Sequence, residues 1–198
     1  RRVPHAGDHA ARYQRLGVAV HMVPVKKLKN TLDPRWHAMY LGRAPLRVRR
    51  IARLLRELAP AIVHVNTSVE VLTGLAARRY CDRHDARLVW HVRELDLKPA
   101  WIESAVFAAV ARWADAVVAI STPLGARFAT HPCVRVIPNG VDLGRFAPTA
   151  GVLSPQRGAE RIGWLGRIVP VKGLENVLEV FARVHARKPD TRLLVVGS

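Results

Sequence analysis

Seven short apolar runs rich in valine and isoleucine recur along the chain and predict its strands. They lie at residues 17–24, 61–66, 87–92, 116–121, 134–138, 161–166 and 192–197. The runs are continuous rather than alternating, which is typical of strands buried on both faces of a parallel sheet. We therefore predict parallel strands with helices covering both sides.

Helical patterns fill most of the intervals between these runs. Residues 46–58 place Ile51, Leu54, Leu55 and Leu58 on one stripe, with arginines on the opposite face. Further helices are predicted over residues 69–80, 101–114 and 174–187. The alternation of strand and helix predicts an α/β fold of the doubly wound, Rossmann-like type.

The composition changes between residues 138 and 160, where prolines and glycines accumulate and no helical or strand period is present. This stretch is typical of a turn followed by a linker. A new strand–loop–helix–strand series begins at Arg161. We predict a domain boundary near residue 150, with one domain over residues 1–150 and the start of a second over 151–198.

The two ends of the chain favour a fragment of a longer protein. Residue 1 is not methionine, no signal-peptide pattern follows it, and the last residues are those of a strand entering a turn. We expect the first strand of the first domain to precede residue 1. A piece lacking part of its sheet is expected to be inactive and to aggregate through its open strand edges.

The chain is strongly basic, with 32 Lys and Arg against 15 Asp and Glu and a formal net charge of +17. Such a charge is typical of proteins that bind nucleic acid, anionic membranes or phosphorylated substrates. The cations are scattered, however, and no basic tail, aromatic-interleaved basic patch or zinc-finger spacing is present. A compositional bias toward arginine explains the charge equally well, and we expect no nucleic-acid partner.

The basic helix predicted over residues 46–58 has two interpretations. Its arginine face could lie on anionic lipid headgroups, giving peripheral membrane contact. Alternatively, it is an ordinary surface helix whose apolar stripe packs inward, and its place within a strand–helix–strand unit favours this second interpretation.

Metal and disulfide chemistry find no support in the sequence. Cys81 and Cys133 are far apart and lack CxxC spacing, so they are interpreted as reduced thiols of a cytoplasmic protein. The nine histidines are dispersed, without HxxxH or HExxH spacing. We expect neither a metal nor another cofactor.

The strongest local signal for a binding site lies between a predicted strand and a predicted helix. Gly166, Arg167, Lys172 and Gly173 occupy the carboxyl end of the strand, where ligands of open α/β sheets bind. Glycines let backbone approach a ligand, and the following helix directs free N–H groups to the same place. This pattern predicts a diphosphate site. The alternative is two solvated cations on a loop, and the loop matches neither a Walker A motif nor GxGxxG.

Four further residues are candidates because they lie at or just after the carboxyl ends of predicted strands. His91 and Glu94 lie at the end of the run at 87–92 and could serve as acid–base or sugar-binding groups, or be a capped and a solvated residue. Ser121 could cap the following segment or contact a ligand. Asn139 lies in a Pro-Asn-Gly turn at a strand end.

Taken together, these motifs resemble those of glycosyltransferase family 4, a group of retaining, nucleotide-sugar-dependent enzymes with the GT-B fold. The matching segments are residues 61–66, 90–95, 114–122, 136–146 and 166–184. The resemblance extends over nearly the whole chain and implies two Rossmann-like domains that face each other across a cleft. The acceptor of such enzymes binds mainly the N-terminal domain and the nucleotide-sugar donor mainly the C-terminal one.

The resemblance also implies roles for individual residues. Arg167 and Lys172 correspond to the residues that contact the donor diphosphate, and His91 to the histidine near the transferred sugar. Such enzymes usually need no bound metal. The family's glycine-rich loop and two-glutamate motif are not in this chain, and we expect them before residue 1 and after residue 198.

The resemblance implies a glycosyltransferase that moves a sugar, with retention, from a nucleotide-diphosphate-sugar to a glycan, lipid or small-molecule acceptor. We expect it to be cytoplasmic, or peripheral to the inner face of the membrane. Two other interpretations remain open. One is a noncatalytic α/β module that binds phosphate or a polyanion, and the other is a GT-B-fold nucleotide-sugar epimerase.

Overall fold

The computed structural model describes residues 8–24, 28, 31, 33–93, 99–144, 146–147 and 160–197. The chain divides into two compact units, Arg1–Gly140 and Val141–Ser198. The boundary predicted near residue 150 lies outside the described residues.

The first unit is built on a parallel sheet of four strands in the order β1-β2-β3-β4. The strands are β1 (Ile62–Val65), β2 (Arg87–Val92), β3 (Ala116–Ala119) and β4 (Val134–Val136). Its helices are α1 (Asp8–Arg15), α2 (Pro34–Gly42), α3 (Ala44–Leu58), α4 (Val71–Cys81), α5 (Ala100–Trp113) and α6 (Thr122–Ala126). The predicted α/β class and parallel, Rossmann-like sheet are confirmed.

The second unit has one strand–helix–strand repeat. Strand β5 (Arg161–Leu165) leads through a 3₁₀ turn, Pro170–Lys172, into helix α7 (Leu174–Arg187), and the chain returns as β6 (Arg192–Val196). The two strands pair in parallel, from Arg161 opposite Arg192 to Leu165 opposite Val196. The helix predicted over 174–187 has these same bounds.

The strand predicted over residues 17–24 is wrong. Residues 18–24 have neither helical nor strand hydrogen bonding, and Val18 and Met22 are about half exposed. A strand needs a neighbour to complete its hydrogen bonds, and β1, the nearest edge of the sheet in the described chain, pairs only with β2. Apolar composition alone therefore did not produce a strand here.

The prediction that the strands are buried on both faces is also wrong. In β2, Leu88, Trp90 and Val92 are fully buried, whereas the side chains between them are half-buried. In the second unit most strand residues are exposed, and Leu165 is 82% exposed. A two-stranded sheet with a single helix within the described part of the unit has too few layers to cover both of its faces.

Trp90 lies at the centre of the larger core, which the buried face of the sheet forms with α4, α5 and α6. Its indole Nε1 donates a hydrogen bond of 2.9 Å to the carbonyl oxygen of Thr67. Helix α4 passes directly over the ring at Gly74, where a Cβ atom would overlap the indole. Glycine at this position thus permits the close approach of helix and strand.

Helix α3 uses its apolar stripe for packing against other helices. Val48 and Ile51 are buried with Tyr40 of α2 and Leu72 of α4 in a second core cluster. The inward packing that the sequence favoured is confirmed for Ile51 and in part for Leu55, whereas Leu58 of the predicted stripe is 49% exposed. The partners in this cluster are helices rather than the sheet. Among the described helices, none is both long enough and apolar enough to cross a membrane.

Asp115 connects β2 and α4 at the amino end of the first sheet. Its Oδ2 accepts a hydrogen bond of 2.6 Å from the backbone N–H of Leu88, and its Oδ1 accepts one of 3.1 Å from Arg78. Burial acts to raise the pKa of this carboxyl, but the Leu88 N–H and the Arg78 guanidinium outweigh it together and lower the pKa below its usual value.

Candidate functional site

His91 lies near the carboxyl end of the first sheet, as its position in the sequence predicted. It is the last but one residue of β2 and points away from the face that buries Trp90. His64 of β1 lies on the same face, and the two imidazole rings stack with centroids 5.8 Å apart and an angle of 7° between their planes. A pair of half-exposed imidazoles therefore occupies this end of the sheet.

Arg93 joins three chain segments beside this histidine pair. Its Nη2 donates a hydrogen bond of 2.9 Å to Oδ1 of Asn139, and its Nη1 donates one of 3.4 Å to Oδ1 of Asn66. Asn66 directly follows β1, Arg93 directly follows β2, and Asn139 lies three residues after β4, in a segment where the structure assigns no turn. One exposed guanidinium thus links the carboxyl ends of three parallel strands.

Sequence reasoning singled out Asn139 but missed Arg93 and Asn66. Asn66 is the last residue of the predicted run at 61–66 and Arg93 the first residue after the run at 87–92, and the carboxyl ends of parallel strands meet at one edge of a sheet. That topological signal could have selected them. Their pairing with Asn139 could not be predicted, because it depends on the path of the chain after β4.

Of the remaining candidates in the first unit, Ser121 is close to the same edge. It follows β3 in an extended conformation at the N-cap position of α6, but its side chain makes no capping hydrogen bond. Capping by this side chain, the safer interpretation from sequence, is therefore wrong. Glu94 lies outside the described residues.

The predicted diphosphate loop occupies the corresponding place in the second unit. Gly166 and Arg167 follow β5, the 3₁₀ turn ends at Lys172, and Gly173 precedes the first residue of α7. Gly173 has φ 65° and ψ 28°, in the left-handed region that glycine adopts without strain. This residue lets the chain reverse out of the turn and begin the helix.

Gly166 contacts protein atoms rather than open space. A Cβ atom built there would lie 3.2 Å from Cζ2 of Trp164, and the backbone N–H of Gly166 bonds the carbonyl oxygen of Val196 at 3.0 Å. Gly197, after β6, is so close to the Gly166 carbonyl that a side chain would overlap it. The small residues at this end of the sheet therefore allow two strand ends and an indole to pack together.

Arg167 and Lys172 are both exposed, and neither side chain has a hydrogen-bond or ion-pair partner within the described residues. Arg167 lies before the 3₁₀ turn that precedes α7, and Lys172 is the last residue of that turn. No side chain caps the first turn of this helix. The loop thus presents two cations and the partial positive charge of a helix N-terminus.

A cavity of about 240 Å³ adjoins this loop. It is lined by Ile168, Val169 and Pro170 of the loop and by Leu174, Glu175 and Leu178 of α7. Neither Arg167 nor Lys172 lines it. The cavity is therefore a mainly apolar neighbour of the two cations.

The described residues contain no group of three or more His, Cys, Asp or Glu side chains arranged to hold a metal ion. Cys81 and Cys133 are both free thiols. Burial raises the pKa of the Cys81 thiol, which keeps it in the less reactive protonated form.

A comparison of the chain with protein families finds a match to the model of Glycosyltransferase Family 4 over residues 4–145. The chain belongs to glycosyltransferase family 4. The matched segment includes β1 to β4 and therefore Asn66, His91, Arg93 and Asn139, but not the loop at residues 166–173.

Three curated relatives illustrate the similarity. A GDP-mannose-dependent monoacylated alpha-(1-6)-phosphatidylinositol monomannoside mannosyltransferase of Corynebacterium glutamicum is 35% identical over 36% of the chain and 21% of its own length. A D-inositol 3-phosphate glycosyltransferase of Segniliparus rotundus is 39% identical over 32% of the chain and 15% of its own length. A phosphatidyl-myo-inositol mannosyltransferase of Mycobacterium tuberculosis is 40% identical over 31% of the chain and 16% of its own length. The alignments thus cover only a small part of each relative.

Proposed function

We propose that this chain is part of a retaining glycosyltransferase that uses a nucleotide-diphosphate-sugar as donor. The observation that carries the proposal is the pair of cations beside the N-terminus of α7. Arg167 and Lys172 have no anionic partner within the described residues, and membership of glycosyltransferase family 4 supports the proposed reaction, in which a diphosphate would leave.

The chemistry of sugar transfer explains why such a loop is useful. When the bond between the anomeric carbon and the diphosphate oxygen breaks, negative charge grows on the departing diphosphate. Cations already held at that place stabilise the transition state more than the ground state. Free N–H groups at the start of α7 add hydrogen-bond donors of fixed direction. No protein nucleophile is required for this part of the reaction.

For the acceptor, we propose a molecule that carries a phosphorylated inositol. The names of all three relatives contain such a group, either as inositol 3-phosphate or as phosphatidylinositol. In the first unit, Arg93 presents an exposed guanidinium next to His91 at the carboxyl edge of the sheet. An arginine held in place by two asparagines suits recognition of a phosphate group.

His91 is proposed to lie beside the transferred sugar and to orient it. The ring is held in place by its stacking on His64, and its place at the carboxyl edge is where the functional groups of α/β folds collect. Ser121 and Asn139 are proposed to lie at the same acceptor side. No metal is included in this proposal.

A lipid acceptor would bring the protein to a membrane surface. The exposed arginines of α3, at positions 49, 50, 53 and 56, are basic groups suited to anionic headgroups. Peripheral contact with the inner face of the membrane through this helix is therefore part of the proposal, as is a cytoplasmic location.

The proposal is tested by donor binding and turnover in the complete gene product. Arg167→Gln with Lys172→Gln is compared with Arg183→Gln and Arg187→Gln, two exposed arginines later in α7. GDP, UDP and ADP serve as binding probes in calorimetry, and GDP-mannose and UDP-glucose as donors in turnover. Each charged hydrogen bond to phosphate contributes roughly 1.5–3 kcal/mol, so the loop variant should bind its nucleotide at least about 100-fold more weakly.

The control variant has the same change of net charge and should bind the nucleotide within about twofold of the wild type. Circular dichroism checks that both variants keep their fold. Equal losses in the two variants would show that net charge, rather than the loop, attracts the donor. The stereochemistry of the product, read from the coupling constant of the anomeric proton, tests retention separately.

A further inference from the structure

A basic groove lies between α3 and α4, and two of the α3 arginines proposed above for membrane contact, Arg49 and Arg56, line it. It has a volume of about 470 Å³, which is within the range of small-molecule sites. Its floor is formed by Val48, Ala52 and Tyr80. The Tyr80 hydroxyl donates a hydrogen bond of 3.3 Å to the carbonyl oxygen of Pro60, and its ring contacts the imidazole of His84 at a centroid distance of 4.4 Å. The floor is thus a fixed surface.

All the charged side chains that line the groove in the described structure are basic. They are Arg49 and Arg56 of α3, Arg79 of α4, and Arg83 in the turn that follows α4. Arg83 donates a hydrogen bond of 2.8 Å to the backbone carbonyl of Arg79, which fixes one guanidinium at the rim. None of the four has a carboxylate partner within the described residues.

Three of the nearby carboxylates pair with other arginines, whereas the exposed Asp85, next to His84, forms no ion pair within the described residues. Glu57 binds Arg53 at 2.8 Å. Asp82 and Asp115 bind Arg78, at 2.8 and 3.1 Å. Four guanidinium groups therefore surround one concave surface without internal neutralisation. Their mutual repulsion would be relieved by a bound anion.

The groove is distinct from the candidate transfer site. Arg83 and His84 lie in the turn before β2 begins at Arg87, whereas Arg93 lies after β2 ends. The six residues of this strand correspond to a separation of about 20 Å. A ligand in the groove would therefore not occupy the carboxyl edge of the sheet.

We propose that the groove binds an anion carrying two or more phosphate groups. Four guanidinium groups supply enough donors for several bidentate contacts, and such contacts select phosphate by geometry as well as charge. The exposed imidazole of His84, which lies beside the Tyr80 ring of the floor, offers an aromatic surface against which a ring bearing the phosphates can lie. This inference rests on the groove alone and not on the proposed donor chemistry.

The test measures binding of inositol hexakisphosphate and of pyrophosphate to the full chain by calorimetry. Binding to vesicles of phosphatidylcholine with 5% phosphatidylinositol 4-phosphate is measured by sedimentation. Arg79→Gln with Arg83→Gln should weaken binding by a factor of about 10 to 100. The matched control, Arg183→Gln with Arg187→Gln, has the same spacing on α7 and the same charge change, and should retain wild-type binding.

Comparison of the calorimetry with free anions and the sedimentation with vesicles identifies the source of the phosphates. Binding of the free anions that depends on Arg79 and Arg83 supports a soluble ligand, and binding that appears only with vesicles supports a lipid headgroup. The proposal is overturned if neither probe binds, or if the control variant loses as much binding as the groove variant. If the groove proposal is correct, the groove substitutions leave nucleotide binding at the loop near Arg167 unchanged. The groove proposal and the donor proposal can therefore be refuted independently of each other.

Discussion

Replacing Gly74 by alanine tests the account of how α4 packs on the sheet. Alanine normally stabilises a helix interior by about 1 kcal/mol relative to glycine. Here the added Cβ atom would overlap Cη2 and Cζ3 of Trp90 and lie 2.8 Å from Cζ2. Trp90 is fully buried and its Nε1 is bonded to the Thr67 carbonyl, so the ring has little room to move.

The expected result is therefore a loss of stability where helix propensity alone predicts a gain. Overpacking of a core costs about 1–3 kcal/mol, occasionally more. We expect the free energy of unfolding to fall by about 2 kcal/mol, which corresponds to a decrease in Tm of about 4–8 °C for a chain of this size. Thermal unfolding followed by circular dichroism measures the change, and urea titration measures the free energy.

Two companion variants separate the clash from a general effect of alanine. Gly42 is also helical, at the end of α2, and a Cβ atom there meets no other atom within 4 Å. Gly42→Ala should leave Tm unchanged or raise it. Trp90→Phe removes the ring atoms that overlap, so Gly74→Ala should cost less in that background. Equal effects of the two alanine substitutions would refute the packing argument.

Three further predictions follow from the described contacts. Asp115→Asn should lower stability by roughly 1–2 kcal/mol at pH 7. The pKa of Asp115 is lowered in the folded state, so its contribution to stability is present above the usual value of 3.8 and is lost as pH falls through the folded pKa. The difference in Tm between the wild type and Asp115→Asn should therefore narrow only in acid. Gly173→Ala should lower the free energy of unfolding by about 1 kcal/mol, because alanine is strained at the positive φ of this position, and should weaken nucleotide binding. Gly173→Asn should lower the free energy of unfolding by less. Arg93→Ala should change the free energy of unfolding by less than about 0.5 kcal/mol, since the side chain is exposed. Arg93→Ala and Asn139→Ala should each reduce kcat roughly tenfold. An unchanged kcat would exclude a positioning role for this pair.

The strands and the longer helices were predictable because their signals are local. The runs at 87–92 and 192–197 became strands that differ by at most one residue from the prediction, and the helix at 174–187 has the predicted bounds. The two strands are rich in β-branched residues and the helix has an amphipathic pattern, and each of these segments has turn residues at its ends. Such features need no knowledge of distant parts of the chain.

The failures have non-local causes. Residues 17–24 have the composition of a strand, but strand formation depends on a partner that composition does not specify. The helices α1, α2 and α6 were not predicted. The burial of β5 and β6 was overestimated, because burial depends on how many layers cover a strand and not on its own sequence.

The candidate site was predictable as a location but not as a set of contacts. The rule that functional groups collect at the carboxyl ends of parallel strands placed His91 and Asn139 at one edge. Arg93 donates hydrogen bonds to Asn66, which lies 27 positions earlier in the chain, and to Asn139, which lies 46 positions later. Only the folded chain shows that Arg93 connects the predicted candidate Asn139 to Asn66, which the sequence did not single out.

The net charge of +17 illustrates what composition alone could not decide. Some arginines are structural: Arg78 binds Asp115 and the Trp113 carbonyl, and Arg127 binds Glu103 at 2.9 Å while lying over the Phe107 ring. A uniform bias toward arginine would scatter the remaining charges without pattern. Instead, four of them line one groove, and the neighbouring Glu57 and Asp82 are bound to other arginines. That concentration of charge favours a binding surface over a compositional accident, since a bound anion would offset the repulsion between the four guanidinium groups.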